Sequence, residues 1–219
     1  MRNLNSSPSS AERALHWNAA YREGDVSGLS WFQEDPGISL ALIEELGVPP
    51  TAAVIDVGGG ASVLASELVA KGFLDVTVLD ISQSALDLAR EHCPPDPVRR
   101  VQADLLLWWP DRRFDLWHDR ALFHFLVDHD EREGYLAVLR RALEPDGVVI
   151  LATFAPDGPE FCSGLPVARY APEELGELLG PDFTVECRRR EEHITPAGVR
   201  QPFTWLAARR TRTHTNPCT

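Results

Sequence analysis

The sequence predicts an α/β domain: a mostly parallel sheet with helices on both faces and an antiparallel hairpin at the C-terminal end. Three observations carry this reading. Short β-branched runs alternate with amphipathic helical stretches at close intervals from residue 52 onward, which argues for parallel strands joined by crossover helices. A glycine triplet, Gly58-Gly59-Gly60, ends the first of those runs. Two long strand-like runs near the end are separated only by Thr195-Pro196-Ala197-Gly198, too short a link for anything but an antiparallel pair.

In chain order, residues 10–23 place Leu15, Trp17 and Tyr21 at near-helical spacing, and Gly24 ends that helix. A loop with Trp31 and Phe32 follows. After Pro36 a second helix carries Ile38, Leu42, Ile43 and Leu46 on one face, with Gly47 just past its end. Residues 52–57 form the first strand, 61–72 a helix, and 74–80 a strand that ends in Asp80. Ser82 is placed to cap a helix over 82–92. Strands at 98–104 and 114–119 precede a helix over 130–147 with a Pro145-Asp146-Gly147 stop, and 148–154 is the fifth strand. Pro172 opens a short helix, and the runs 182–194 and 199–210 make the hairpin. Residues 1–8 are too polar to bury a face, and 211–219 read as a frayed tail. The organisation predicted is an N-terminal helical lid segment over 1–50, one domain over 51–210 and a tail over 211–219.

Composition narrows the function. The chain has 219 residues, 44 % of them hydrophobic and 25 % charged, so it can bury an ordinary core without staples. With 21 basic against 33 acidic residues its formal charge is -12, which argues against a general nucleic-acid binder because phosphates are repelled. No apolar run approaches the length of a membrane span, and the polar start has no secretory pattern. Cys93, Cys162, Cys187 and Cys218 stand far apart, so no metal site is expected. Together these predict a reduced, cytoplasmic protein acting as a monomer or homodimer, with no membrane or nucleic-acid partner.

The glycine triplet carries the chemistry. Glycines at a strand-to-helix turn let the backbone bend sharply and let a ligand approach with no Cβ in the way. A dinucleotide fingerprint would need a sixth-position glycine where Val63 stands, and a phosphate loop would need a lysine that is missing. Asp56 precedes the glycines, where an acid suits an ammonium group. Asp80 lies 24 residues on, at the second strand tip, where a carboxylate accepts both hydroxyls of a ribose. It also suits a helix N-terminus, and both readings hold together. Ile81 offers an apolar surface to a flat base. Asp104, after Ala103 at the third strand tip, is placed to accept an exocyclic amine.

The Asp56-to-Gly60 turn, the Val76-to-Asp80 run, Gln102-Ala103-Asp104 and the terminal hairpin resemble the class I S-adenosylmethionine-dependent methyltransferases over about residues 50–210. The resemblance implies a Rossmann-like, seven-stranded sheet with an antiparallel last strand. It also implies S-adenosyl-L-methionine as cofactor. Asp56, Gly58 and Gly60 would face its methionine moiety, Asp80 its ribose, and Ala103 and Asp104 its adenine, with Gly59 and Ile81 also among the cofactor-binding residues. Ser62 stands where many members have glycine.

The acceptor side is expected at the fourth strand tip. Asp119 is placed there with the cofactor contacts. Arg120 is costly to bury without an anion, or it pairs with Asp119 or Asp128. His118, His124 and His129 cluster nearby in sequence, and His124 or Tyr21 would take a proton from an amine or hydroxyl acceptor. Trp17 and Trp31, in the lid segment, offer aromatic faces to a sulfonium. The Trp17-x-x-x-Tyr21 and Trp31-Phe32-Gln33 segments, with Asp119-Arg120-Ala121-Leu122, resemble the thiopurine S-methyltransferase group, in which the arginine lies near the substrate. The His16-Trp17 start and Trp31-Phe32 loop also resemble small protein-lysine methyltransferases. The function expected is in-line methyl transfer to a small-molecule acceptor. The alternatives are methylation of a protein lysine and a non-catalytic adenosine-binding scaffold.

Overall fold

The computed structural model describes residues 8–22, 26–92 and 98–211. The helix stop predicted at Gly24, two of the four cysteines (Cys93 and Cys218), nearly all of the polar start and all but the first residue of the tail lie outside the described residues. Helices α1 (Ser10–Arg22) and α2 (Gly37–Glu45) precede β1 (Ala53–Val57), α3 (Leu64–Ala70), β2 (Asp75–Asp80), α4 (Gln83–His92) and β3 (Val98–Gln102). Next come β4 (Phe114–Arg120), α5 (His129–Ala142), β5 (Leu143–Phe154), a small hairpin of β6 (Phe161–Cys162) and β7 (Leu165–Pro166), α6 (Pro172–Leu179), β8 (Phe183–Ile194) and β9 (Arg200–Arg210).

The main sheet has seven strands in the order β3-β2-β1-β4-β5-β9-β8. All neighbours are parallel except those of β9, which runs antiparallel to both β5 and β8. This is the Rossmann-like, seven-stranded, mostly parallel sheet with its last strand reversed that the resemblance implies.

Both faces are covered, and strand alternation sorts the side chains between them. Val54 on β1 and Leu116 on β4 pack with Leu42, Ile43, Leu64 and Leu68 under α2 and α3. Their neighbours Ile55 and Trp117 pack with Tyr135, Leu136 and Leu139 under α5. The strand order reverses between β1 and β4, which leaves a crevice over their C-terminal ends.

Two predicted boundaries shift. The first helix after the glycines begins at Leu64 rather than 61, because residues 58–63 are consumed by the turn. The helix expected to run to Gly147 ends at Ala142, and β5 already begins at Leu143. Leu143 pairs with Phe114 before the register shifts to Leu116 opposite Val148, and Asp146 takes a positive φ of 65° in the bulge. The predicted cap at Ser82 is present: its Oγ accepts the Ala85 N–H at 3.1 Å. The arginines at 188–190 lie on the edge strand, each in an ion pair, with Glu173, with Glu45, and with Asp157 and Glu192 respectively, which blunts the edge.

On the α5 face a buried polar chain fixes the end of β4. Trp117 Nε1 donates to Tyr135 Oη at 2.8 Å, and Tyr135 Oη donates to Asp119 Oδ2 at 2.7 Å. Asp119 Oδ1 accepts the backbone N–H groups of Leu122 and Phe123 at 2.9 and 3.3 Å. Tyr135→Phe removes the middle of this chain and leaves two buried groups unpaired. Urea unfolding should show a loss of about 1–3 kcal/mol; an unchanged midpoint would mean the chain adds nothing to stability.

Candidate active site

Among the described residues, two neighbouring cavities open over the C-terminal ends of β1, β2 and β4. The larger is lined by Asp80, Ile81, Ala103 and Asp104 on the sheet side, and by Trp17, Phe125 and Cys162 opposite. The second is lined by Asp56, Gly59, Ser62, Ser39 and His118. Tyr21, Trp31, Gly58 and Arg120 line both, so they form the wall between them.

The glycine turn is built for close approach. Gly58 and Gly60 have φ of +67° and +44°, which L side chains rarely adopt. A Cβ on Gly59 would fall 2.3 Å from Asp56 Oδ2, and one on Gly60 would fall 2.7 Å from Tyr21 Oη and 3.0 Å from Asp80 Oδ2. A Cβ on Gly58 would strike Leu122 at 2.7 Å, so this glycine serves the packing of β1 against the β4 turn as well as any ligand.

Asp80 is buried, and its Oδ1 accepts the Ser82 N–H at 2.7 Å. Burial raises its pKa to about 7, against the opposing pull of nearby N–H groups. It sits at the start of α4 and also lines the larger cavity. Asp104 is partly engaged: Oδ2 accepts Arg13 Nε and Nη2 at 3.2 and 2.7 Å, and Oδ1 accepts the Leu106 N–H at 3.1 Å. Arg13 reaches on to Glu131 at 3.2 Å. Nothing in the sequence marked Arg13, because an arginine on a polar helix face carries no motif. Asn18 is equally unmarked; its Oδ1 accepts Ser82 Oγ and the Ser84 N–H, both at 3.0 Å. These contacts tie α1 across the cavity mouth.

The aromatic wall comes from the N-terminal segment. Trp17 packs edge-on against Trp31 at 5.8 Å and Phe125 at 4.9 Å. Trp31 Nε1 donates to Tyr21 Oη at 3.3 Å. Arg120 donates from Nη1 to the Trp31 carbonyl at 2.9 Å and lies over the Phe203 ring at 4.6 Å. Its Nε and Nη2 are buried with no partner. Burial lowers its pKa to about 10, with the Glu191 charge opposing that shift, so it stays cationic at neutral pH.

Several expected residues sit elsewhere. Asp119 is fully buried on the α5 face and lines neither cavity. Strand period explains it: Asp119 alternates with His118 and Arg120 and shares the side of Trp117. His124 also lies outside both cavities, buried against Phe125 and Phe154. Burial and the Arg120 charge depress its pKa to about 3. The three neighbouring histidines disperse: His118 is buried in β4 and His129 is exposed at the start of α5. Tyr21 does face the site, but burial and the Asp80 charge push its pKa well above the usual tyrosine value, which makes it a poor base. The loop after β5 folds into the β6–β7 hairpin and delivers Cys162, whose thiol burial raises in pKa.

Sequence and structure comparisons agree with this architecture. Residues 54–147 match a family model described as a methyltransferase domain. The human EEF1A lysine methyltransferase 2 is 32 % identical over 168 residues, 67 % of this chain and 69 % of that protein. The zebrafish (Danio rerio) protein of the same name is 24 % identical over 193 residues, 80 % of this chain and 77 % of its own. Among solved structures, the Burkholderia thailandensis 1,6-didemethyltoxoflavin-N1-methyltransferase, with 1,6-didemethyltoxoflavin and S-adenosylhomocysteine bound, superposes with a TM-score of 0.73 at 25 % identity. That match covers 97 % of this chain and 94 % of the other. A seven-stranded sheet with its last strand reversed, a glycine turn under a crevice flanked by acids, and these relatives together place the chain in the class I S-adenosylmethionine-dependent methyltransferases.

Proposed function

We propose that this methyltransferase acts on a small acceptor that is neutral or anionic, bound between Trp17, Trp31 and Arg120. The cofactor is S-adenosylmethionine, which supplies, when bound, an electrophilic methyl group on a positively charged sulfur. The residues fit it: Asp56 keeps a buried oxygen with no partner beside a turn bare of Cβ atoms. In this reading Asp80 accepts the ribose hydroxyls and Ile81 lies along the base. Ala103 and Asp104 receive the adenine edge. A carboxylate oxygen has room for more than one donor, so the adenine amine joins Arg13 at Asp104.

The observation that carries the acceptor reading is Arg120. Two of its N–H groups are buried, unpartnered and set in an aromatic wall. Such donors call for an anion or a polarised oxygen or sulfur. A lysine ammonium in the same chamber would meet a like charge at low dielectric. Among the described residues the cavity also lacks a suitable base at that end, since Tyr21 is held protonated and His124 is elsewhere. The chain's contribution is then positioning and exclusion of water, and the acceptor must shed its own proton easily, as a thiol does near pKa ~8.5.

The second reading, methylation of a protein lysine, is favoured by the name of the relatives at 32–33 % identity. A methyl-label assay decides between them. Label should move to thiols, phenols or acidic heterocycles in a small-molecule panel; label found only on protein lysines would overturn the small-acceptor reading. Arg120→Lys keeps the charge and loses the fork. It should lower kcat/KM roughly 10- to 100-fold, the worth of a hydrogen bond to a charged group, with cofactor affinity within about twofold. Wild-type kinetics with a lowered melting temperature would instead assign Arg120 to holding the Trp31 loop.

Asp80 gives a pH prediction. Ribose hydroxyls donate to a carboxylate, so binding favours the ionised form, and the free protein holds that carboxyl at about 7. Cofactor affinity, followed by Trp17 and Trp31 fluorescence, should therefore weaken as pH falls through about 7 and level off above it. Asp80→Asn should weaken binding and flatten the profile; an unchanged profile in that variant would place the ribose elsewhere.

A further inference from the structure

On the α2 face of the sheet lies a polar chain that the glycine motif alone does not account for. His118 Nδ1 is 2.7 Å from Asp56 Oδ1, and His118 Nε2 is 2.9 Å from Ser39 Oγ. All three residues are buried, at 3 %, 2 % and 1 % exposure. Asp56 and His118 are register partners on β1 and β4, so their side chains leave the sheet together. Ser39 is on the buried face of α2 with Leu42 and Ile43, where an apolar residue would be ordinary.

A carboxylate oxygen only accepts, so Nδ1 carries the hydrogen toward Asp56. On the other side of the ring Nε2 shares one hydrogen bond with the Ser39 hydroxyl. Every polar atom is paired except Asp56 Oδ2, which is buried with no partner. That oxygen sits where a Gly59 Cβ would otherwise be, 2.3 Å from it, and its residue lines the second cavity. An unpaired buried carboxylate oxygen costs on the order of 1–3 kcal/mol or more, so the fold holds it for a donor that arrives with a ligand.

We propose that Ser39 and His118 are positioning residues which fix Asp56 so that Oδ2 receives the α-ammonium group of the cofactor's amino-acid moiety. The assignment rests on the cofactor lying over the glycine turn. Ser39 holds the imidazole against ring rotation, and the imidazole holds Oδ1, so the remaining oxygen has one orientation. Gly59 supplies the space. The arrangement has the order of a serine–histidine–aspartate nucleophile system but the opposite open end: the unpaired atom is the carboxylate oxygen, and the serine hydroxyl is committed to the ring. Through Ser39 the arrangement also links α2, next to the Trp31 loop, to the cofactor's charged end.

Calorimetric titration with two ligands tests this: S-adenosylhomocysteine, which carries the ammonium group, and 5′-methylthioadenosine, which has the same nucleoside without it. His118→Leu should weaken the first roughly 10-fold or more, the worth of fixing a charged hydrogen bond, and leave the second within about twofold. His118→Asn places an amide N–H near the Nδ1 position and should recover most of the loss. Ser39→Ala should weaken S-adenosylhomocysteine by a smaller factor, again without touching 5′-methylthioadenosine. Equal losses for both ligands, or none for S-adenosylhomocysteine, would overturn the proposal and leave a packing role. If His118→Leu does not fold, His118→Asn and Ser39→Ala carry the same comparison. Wild-type protein that binds neither ligand would overturn the cofactor placement itself, and the proposal with it.

Discussion

The structure depends on one constraint: β1 and β4 are buried on both faces and are neighbours in register. In such a pair every second residue must satisfy one face and the residue between must satisfy the other. Val54 and Leu116 build the α2–α3 side, and Ile55 and Trp117 build the α5 side. The same alternation then carries polar residues at the strand ends to different destinations. Asp56, His118 and Arg120 go to the cavities, while Asp119 goes under α5 to Tyr135. A one-residue slip would exchange these sets and remove both the site and its support.

The N-terminal segment is joined to this frame in a different way. Only Tyr21 of α1 is buried. The remaining attachment is polar or aromatic: Arg13 to Asp104 and Glu131, Asn18 to Ser82 and Ser84, the Trp31 carbonyl to Arg120. Contacts of this kind are individually worth little where water reaches them, so the segment is held far less firmly than the sheet. Three of these five contacts end on residues that line the cavities or, at Ser82, on the residue that binds Asp80 Oδ1. The cover of the cavity and its floor therefore share hydrogen-bonding groups, and a ligand that competes for Asp104 or Asp80 acts on both.

The electrostatics divide along the same line. Burial raises the carboxyl of Asp80 to about 7 and that of Asp119 to about 6, yet the two have opposite fates. Asp119 has its donors in place, three of them from the chain. Asp80 and Asp56 retain capacity for donors from outside. Arg120 mirrors them, with N–H groups waiting for an acceptor. Unmet polar capacity at buried positions is costly to stability, and at Asp56 and Arg120 it falls on residues that line the cavities.

By itself the sequence determined the α/β class, the strand-to-helix order, the glycine turn and the acids at the strand tips. These are local: β-branched runs, a glycine triplet, an acid closing a strand and a serine capping a helix each declare themselves within a few residues. The tertiary structure alone decided which neighbours in sequence become neighbours in space. Asp119 and Arg120 are adjacent in the chain yet point to opposite faces, and His124 is turned into a phenylalanine cluster that no local pattern announced. Arg13 meets Asp104 across 91 residues, and Ser39 meets His118 across 79. Side chains at such separations are brought together by sheet order and helix packing, which depend on the whole core, so the residues that support the candidate site were silent in sequence while the turn that founds it was plain.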